Sequence, residues 1–253
     1  STLSWADVDA DLVRDWMAEM MNEGQRATSI NRRLSALRSF YRFALARNLV
    51  KSDPVQGVVG PKKDKPLPQF LKEKEIDELL QEDFWTDCYE DVRDRMIIMT
   101  FYETGIRLAE LMNLCDGDVD FMSGQLKVTG KRNKQRLIPF GAELSQALQH
   151  YMGVRDAQVV RHSAALFLAN DGQQMTADAI RYRVKKHLSL VSTLKKRTPH
   201  VLRHTFATAM LNHKAGIESV KKLLGHESLS TTEIYTHTTF EQLKREYLNA
   251  HPR

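Results

Sequence analysis

Residues 198–208 read Thr198-Pro199-His200-Val201-Leu202-Arg203-His204-Thr205-Phe206-Ala207-Thr208, and residues 223–237 read Leu223-Leu224-Gly225-His226-Glu227-Ser228-Leu229-Ser230-Thr231-Thr232-Glu233-Ile234-Tyr235-Thr236-His237. Pro199 fits the first position of a helix, so His200 and Arg203 project near a helix start, where free backbone amides favour an anion. Gly225, just past an apolar turn, reads as a left-handed helix cap that leaves His226 at the start of a loop. Ser230-x-x-Glu233 has capping-box spacing, which puts Tyr235 early in a further short helix. A phenol, a guanidinium and two imidazoles thus fall within one short run of helices.

Outward from this run the pattern stays helical, with one interruption. Helices are predicted over 74–81, 93–104, from about Arg107, and over 143–151, 176–190, 200–212, 217–224, 231–235 or beyond, and 240–248. Between them Asp116–Asp120 turns into a small sheet, Gln125–Thr129 and Gln135–Pro139 flanking a turn at 130–134. The fold class is therefore mainly α with a small antiparallel β-sheet (α+β). Nearer the start, Asp9 or Asp11 caps a helix with Leu12, Trp16 and Met20 at helical spacing, which Gly24 ends. Thr28 or Ser29 caps the next, whose stripe is Ile30, Leu34, Leu37, Tyr41 and Ala44, with Arg32, Arg33, Arg38 and Arg42 mostly off it. Residues 52–68, with Pro54, Gly57, Gly60, Pro61, Pro66 and Pro68 among Lys62, Lys63 and Lys65, read as a stiff basic linker. They divide a helical module, 1–51, from a larger domain, 69–253. Ser1 opens the chain without an initiator methionine, which reads as a processed or trimmed piece.

The chain has 253 residues, 42% of them hydrophobic, and no apolar run approaches the roughly 20 needed to span a bilayer. No signal peptide is visible, so a cytoplasmic location is expected. Cys88 and Cys115 are too few for a disulfide framework and read as reduced core thiols. A net charge of +5 is mild, but its distribution is not. From Arg26 to Lys51 there are seven Lys or Arg and no acid, from Lys127 to Arg136 five and none, and from Arg181 to Arg203 eight and none, whereas Lys72–Arg95 holds ten acids against four bases. Such segregation suits a polyanion on the basic faces.

Cutting a phosphodiester without a metal requires cations for the non-bridging oxygens, a nucleophile, and an acid for the leaving oxygen. Arginine suits the first task, since its planar fork gives paired hydrogen bonds to phosphate and keeps its charge. Arg203 is one candidate. Arg107, in Thr104-Gly105-Ile106-Arg107-Leu108-Ala109-Glu110-Leu111, is the other, with Glu110 placed to orient it. Judged singly, Arg107-x-x-Glu110 is a surface salt bridge and Tyr235 plain packing; only the set argues otherwise. His200 and His204 have a zinc-compatible spacing, but no carboxylate partner is evident, and no metal site is expected.

The sequence resembles the tyrosine recombinases of the phage integrase family, most closely the bacterial Xer-type site-specific recombinases. Four blocks carry the resemblance: 104–111, Gly130-Lys131-Arg132-Asn133-Lys134-Gln135-Arg136-Leu137-Ile138-Pro139, 198–208, and 223–237. It implies that Arg107 and Arg203 clamp the phosphate and that Tyr235 is the nucleophile. By the same resemblance Lys131 protonates the leaving 5'-oxygen, His200 does acid-base work, and His226 hydrogen-bonds the scissile phosphate. It further implies a partial helical core-binding domain over 1–51, the latter part of a normally four-helix unit, and a catalytic domain over 69–253. Cleavage and rejoining of duplex DNA through a 3'-phosphotyrosine, without cofactor, is the implied activity, as in chromosome-dimer resolution or mobile-element integration. Thr28, Asn31, Arg32, Arg33, Arg38, Arg132, Lys134, Arg181 and Arg183 are the expected DNA contacts. The implied partner beyond DNA is a homo- or hetero-tetramer formed through the C-terminal helix, with packing in cis as the alternative. Two other readings stay open on the residues: DNA relaxation by a type IB topoisomerase, which shares this chemistry, and a non-catalytic DNA-binding module.

Overall fold

The computed structural model describes residues 4–63, 69–130, 133–225 and 237–252, with 237–240 described as helical backbone only. The chain divides into two compact units, Ser1–Leu67 and Pro68–Arg253. Among the described residues no helix is long and apolar enough to cross a membrane.

In the first unit a 3-10 turn, Trp5–Asp7, precedes α1 (Ala10–Asn22) and α2 (Ala27–Ala46). Asp9 caps α1, its carboxylate accepting the Leu12 N–H at 2.8 Å. The buried stripe of α1 is Val13, Met17 and Met20; of the expected Leu12, Trp16 and Met20 only Met20 belongs to it, and Leu12 is 48% exposed. The reason is that α2 meets the Val13 side, while Leu12 and Trp16 line an apolar groove of about 690 Å³ with Trp5 and Leu37. At the other end of α1, the N–H groups of Gly24 and Gln25 return to the Met21 and Met20 carbonyls, with Gly24 at φ 77°. That tight reversal lets α2 begin early, so Arg26, not Thr28 or Ser29, is its N-cap.

The first half of the expected linker is not free. Val55 and Val58 are buried with Ile30, Leu34 and Tyr41. The Asn31 amide donates to the Ala27 carbonyl at 2.7 Å and the Pro61 carbonyl at 2.8 Å, and Arg38 donates to the Val58 carbonyl at 2.5 Å. The contact is close enough to require Gly60, where an added Cβ would stand 2.3 Å from Asn31 Oδ1. Proline and glycine mark the turns of this strap, but its two valines decide that it packs.

The second unit is organised on α4 (Tyr89–Thr104), in which twelve of sixteen residues are buried; it is apolar on more than one side and so sits in the centre. Around it pack α6 (Ala142–Gln158), α7 (Ala177–Val191) and α8 (Pro199–Asn212), while α3 (Glu73–Leu80) lies on α7. The short α5 (Leu108–Met112) follows α4 and leads into a three-stranded antiparallel sheet in the order β1 (Val119–Asp120), β2 (Gln125–Thr129), β3 (Gln135–Pro139). In its register Val128 faces Arg136 and Leu126 faces Ile138, all four buried. Strands β2 and β3 have the expected bounds, and β1 is an addition to them. Among the described residues the unit also holds α9 (Ile217–Leu224) and α10 (His237–Ala250), and the helix expected over 231–235 lies outside them.

Three expectations need correction here. Cys88 is exposed at the N-cap of α4 and Cys115 is half-exposed before a 3-10 turn, so neither is a core thiol. Both stand at helix boundaries, where the chain is at the surface. Helix α6 runs to Gln158 because Arg155, fully buried, binds Asp116 in a bidentate pair at 2.8 Å through each amino group and stabilises the extra turns. Helix α10, longer than expected, packs in cis on β3, α8 and α9, with Leu243, Tyr247 and Ala250 buried. Complete burial raises the Tyr247 phenol far above its ordinary range.

Candidate active site

The chain turns sharply between α4 and α5 at Gly105, whose φ of 59° favours glycine and where an added Cβ would lie 2.4 Å from Phe206. This turn delivers Arg107 to the N-cap of α5, with the Arg107 N–H bonded to Glu110 Oε2 at 2.7 Å. Helix α8 starts at Pro199, so His200 lies exposed in the first turn and Arg203 opens the second, 9% exposed. The two arginines meet at the C-terminal end of α9. There Gly225, at φ 64°, closes the helix and leaves its last carbonyls without intrahelical partners.

Guanidinium groups take those carbonyls. Arg203 donates to the Leu224 carbonyl at 2.6 Å and to the Gly105 carbonyl at 2.6 Å, and Arg107 donates to the Gly225 carbonyl at 2.9 Å. Arg136, from β3, donates to the Leu223 carbonyl at 2.9 Å. Cations at a helix C-terminus are favoured by the dipole as well as by the open acceptors. Glu110 ties the group together, pairing with Arg107 at 2.9 Å and with both amino groups of Arg136 at 2.6 and 3.0 Å.

Three guanidiniums around one carboxylate leave a net charge of about +2 in a largely desolvated place, with effective dielectric well below that of water. Burial, and then the nearby charges of Arg107 and Arg136, lower the Arg203 pKa to about 10, so it stays charged at neutral pH but under strain that an anion would relieve. Burial pushes the Glu110 carboxyl up, yet the Arg136 and Arg107 contacts outweigh it and hold the pKa at about 2. Partial burial and the charge of Arg203, with smaller contributions from His204, Arg107 and Arg181, lower the His200 imidazole below its usual value, which favours its neutral form. The Arg107 side chain is 39% exposed and supplies the open side of the cluster.

Lys131, Arg132, His226 and Tyr235 lie outside the described residues. Their chain neighbours do not. Gly130 begins the β2–β3 turn with its N–H on the Lys134 carbonyl at 2.7 Å, and a Cβ on it would stand 3.5 Å from Glu110 Oε1. Gly225, which precedes His226, carries the carbonyl that Arg107 holds.

The expected DNA contacts separate. Thr28 and Arg32 are exposed on α2, and Lys134 is exposed in the hairpin. Arg33, also exposed, reaches Met20 Sδ at 3.1 Å. Asn31, half-buried, and Arg38, exposed, each donate to a carbonyl of the strap. Arg181 is exposed and pairs with Asp178 at 2.6 Å. Arg183 instead turns toward the buried Asp94 at 3.5 Å, joining Arg93 and His187 on a carboxylate that needs cations. Arg136 was missed. The signal was strand alternation, which places it on the same inward face as Ile138, where a charge demands a partner.

Residues 69–242 match the sequence profile of the phage integrase family, and residues 1–48 match that of the phage integrase N-terminal SAM-like domain. Tyrosine recombinase XerC of Pelotomaculum thermopropionicum is 39% identical over 254 residues, covering 98% of this chain and 83% of that protein. Tyrosine recombinase XerC of Vibrio vulnificus is 38% identical over 250 residues, covering 99% and 78%. Among solved structures, the XerH recombinase in a post-cleavage complex with a palindromic difH substrate superposes with a TM-score of 0.76 at 20% identity, over 97% of this chain and 73% of that one. The Tn1549 transposon integrase with circular-intermediate DNA gives 0.73 at 20% identity, over 95% and 86%. The fold is theirs, and with the profile matched across most of the chain and XerC relatives aligned along nearly its whole length, this protein belongs to the phage integrase family as a tyrosine recombinase.

Proposed function

We propose that the protein cleaves and rejoins duplex DNA at a specific recombination site through Tyr235, with the Arg107–Arg203 cluster as the seat of the scissile phosphate. The observation that carries this is the cluster itself: largely buried, net positive, and held by α5, α8, α9 and β3 through the protein's own hydrogen bonds. Preorganised charge of this kind stabilises a transition state in which negative charge builds on the non-bridging oxygens. The Tyr235 oxygen attacks phosphorus and its proton passes to neutral His200. The bond from phosphorus to the 5'-oxygen breaks, Lys131 protonates that oxygen, and His226 hydrogen-bonds the phosphate. The phosphodiester energy is kept in the 3'-phosphotyrosine, so rejoining to a partner strand takes neither ATP nor a metal in this scheme.

Along the DNA, Thr28, Arg32, Arg33, Arg132, Lys134 and Arg181 supply phosphate contacts, mostly without reading bases. Assembly on DNA is as a homo- or hetero-tetramer, with α10 exchanging its seat in cis for the same seat on a neighbour. The burial of Leu243, Tyr247 and Ala250 supports a definite seat of that kind. Likeness to XerC along the chain favours recombination over relaxation of supercoils. Incubation with a library of nicked DNA duplexes, followed by sequencing of the trapped phosphotyrosyl ends, is expected to return one site; adducts spread over all sequences, with supercoil relaxation by monomer, would favour the topoisomerase reading.

A further inference from the structure

No proposed step uses Arg136, yet it is 8% exposed and all three of its nitrogens are engaged within the cluster. Glu110 takes four donors: the Arg107 N–H and Arg136 Nη2 on Oε2, and Arg107 Nη1 and Arg136 Nη1 on Oε1. Facing Arg107 alone, a buried carboxylate would cancel that cation and draw its fork inward. With Arg136 beside it, the carboxylate is already neutralised. The α9 cap closes over this pair, since a Cβ on Gly225 would stand 3.1 Å from Arg136 Nη1.

We propose that Arg136 is a positioning residue for strand cleavage: it offsets the charge of Glu110, leaving Arg107 both the charge and the orientation to hold a phosphodiester, and it fixes the end of α9 from which His226 follows. This rests on the reading of Arg107 and Arg203 as phosphate clamps. Arg136 acts through Glu110 and the end of α9 and not on substrate, since its side chain is only 8% exposed with all three nitrogens engaged, whereas the Arg107 side chain is 39% exposed on the open side of the cluster.

The test is single-turnover adduct formation on a nicked duplex carrying the recombination site, with binding to the same duplex measured alongside, for wild type, R136M, R136K and the double variant E110Q/R136M. R136M is expected to slow adduct formation by roughly 100-fold while binding changes by only a few-fold. Removing the carboxylate as well removes the charge that Arg136 offsets, so E110Q/R136M is expected to regain roughly tenfold over R136M. R136K keeps the charge but loses the fork, and should fall between wild type and R136M. A merely structural Arg136 gives a double variant no faster than R136M, which would overturn the inference. Should thermal melting show R136M unfolded, R136K decides: a rate within about twofold of wild type overturns the inference, and a loss near tenfold at unchanged binding supports it. A wild-type protein that forms no adduct overturns the clamp reading itself, an outcome separate from all of these.

Discussion

Arg203 serves the fold and the proposed chemistry with one side chain, and its substitution should show both. Arg203→Ala leaves the Gly105 and Leu224 carbonyls without their donor, so urea unfolding is expected to register a loss of about 1–3 kcal/mol. Arg107→Ala, more exposed, should cost less stability. Both should cut adduct formation by roughly 10²–10³-fold while binding falls much less; equal losses in binding and cleavage would make them ordinary DNA contacts. Glu110 gives a pH signature. Its folded pKa of about 2 lies below the ordinary 4.5, so its ion pairs stabilise the protein fully above about pH 4.5 and are lost as pH falls toward 2. That contribution is on the order of 3 kcal/mol, and E110Q should flatten the acid limb of the stability profile. For His200 the direction is likewise downward, so the acid limb of single-turnover cleavage is expected below pH 6.5 and should vanish in His200→Gln. Residues of fixed type and spacing, such as Arg107, His200 and Arg203, were legible in the sequence. Arg136 was not, because its role depends on a strand register that brings it to Glu110, twenty-six positions away.

At the scale of elements, what the sequence disclosed tracks how local the determining physics is. Pro199 at the start of α8, Gly225 at the end of α9 and the β2–β3 hairpin follow from capping and turn chemistry within a few residues, and they stand where expected. The buried face of α1, the packed strap and the length of α6 depend on partners far along the chain, and these departed from expectation. Gly105 combines the two kinds of determinant: it caps α4 in the left-handed region, and it stands where α8 comes too near for any side chain. Gly105→Ala is therefore expected to destabilise by about 1–3 kcal/mol and to displace Arg107, lowering cleavage more than binding. Denaturant melts and adduct assays on that one variant check both halves.

For the whole molecule, the alternation of basic and acidic segments becomes a prediction about salt. Arg32→Ala and Lys134→Ala should each weaken binding for all sequences alike and reduce the slope of log affinity against log salt by about one. Seating α10 in cis leaves the exchange between subunits as the matter to observe, and cross-linking between α10 and the β3 region in mixed tagged subunits, with and without DNA, reports it directly. The account as a whole turns on the phenol at position 235. Tyr235→Phe, incubated with a nicked duplex and resolved under denaturing conditions, is expected to give no covalent protein–DNA adduct while retaining wild-type DNA binding; an adduct that survives the substitution would contradict the assignment of nucleophile and, with it, the mechanism.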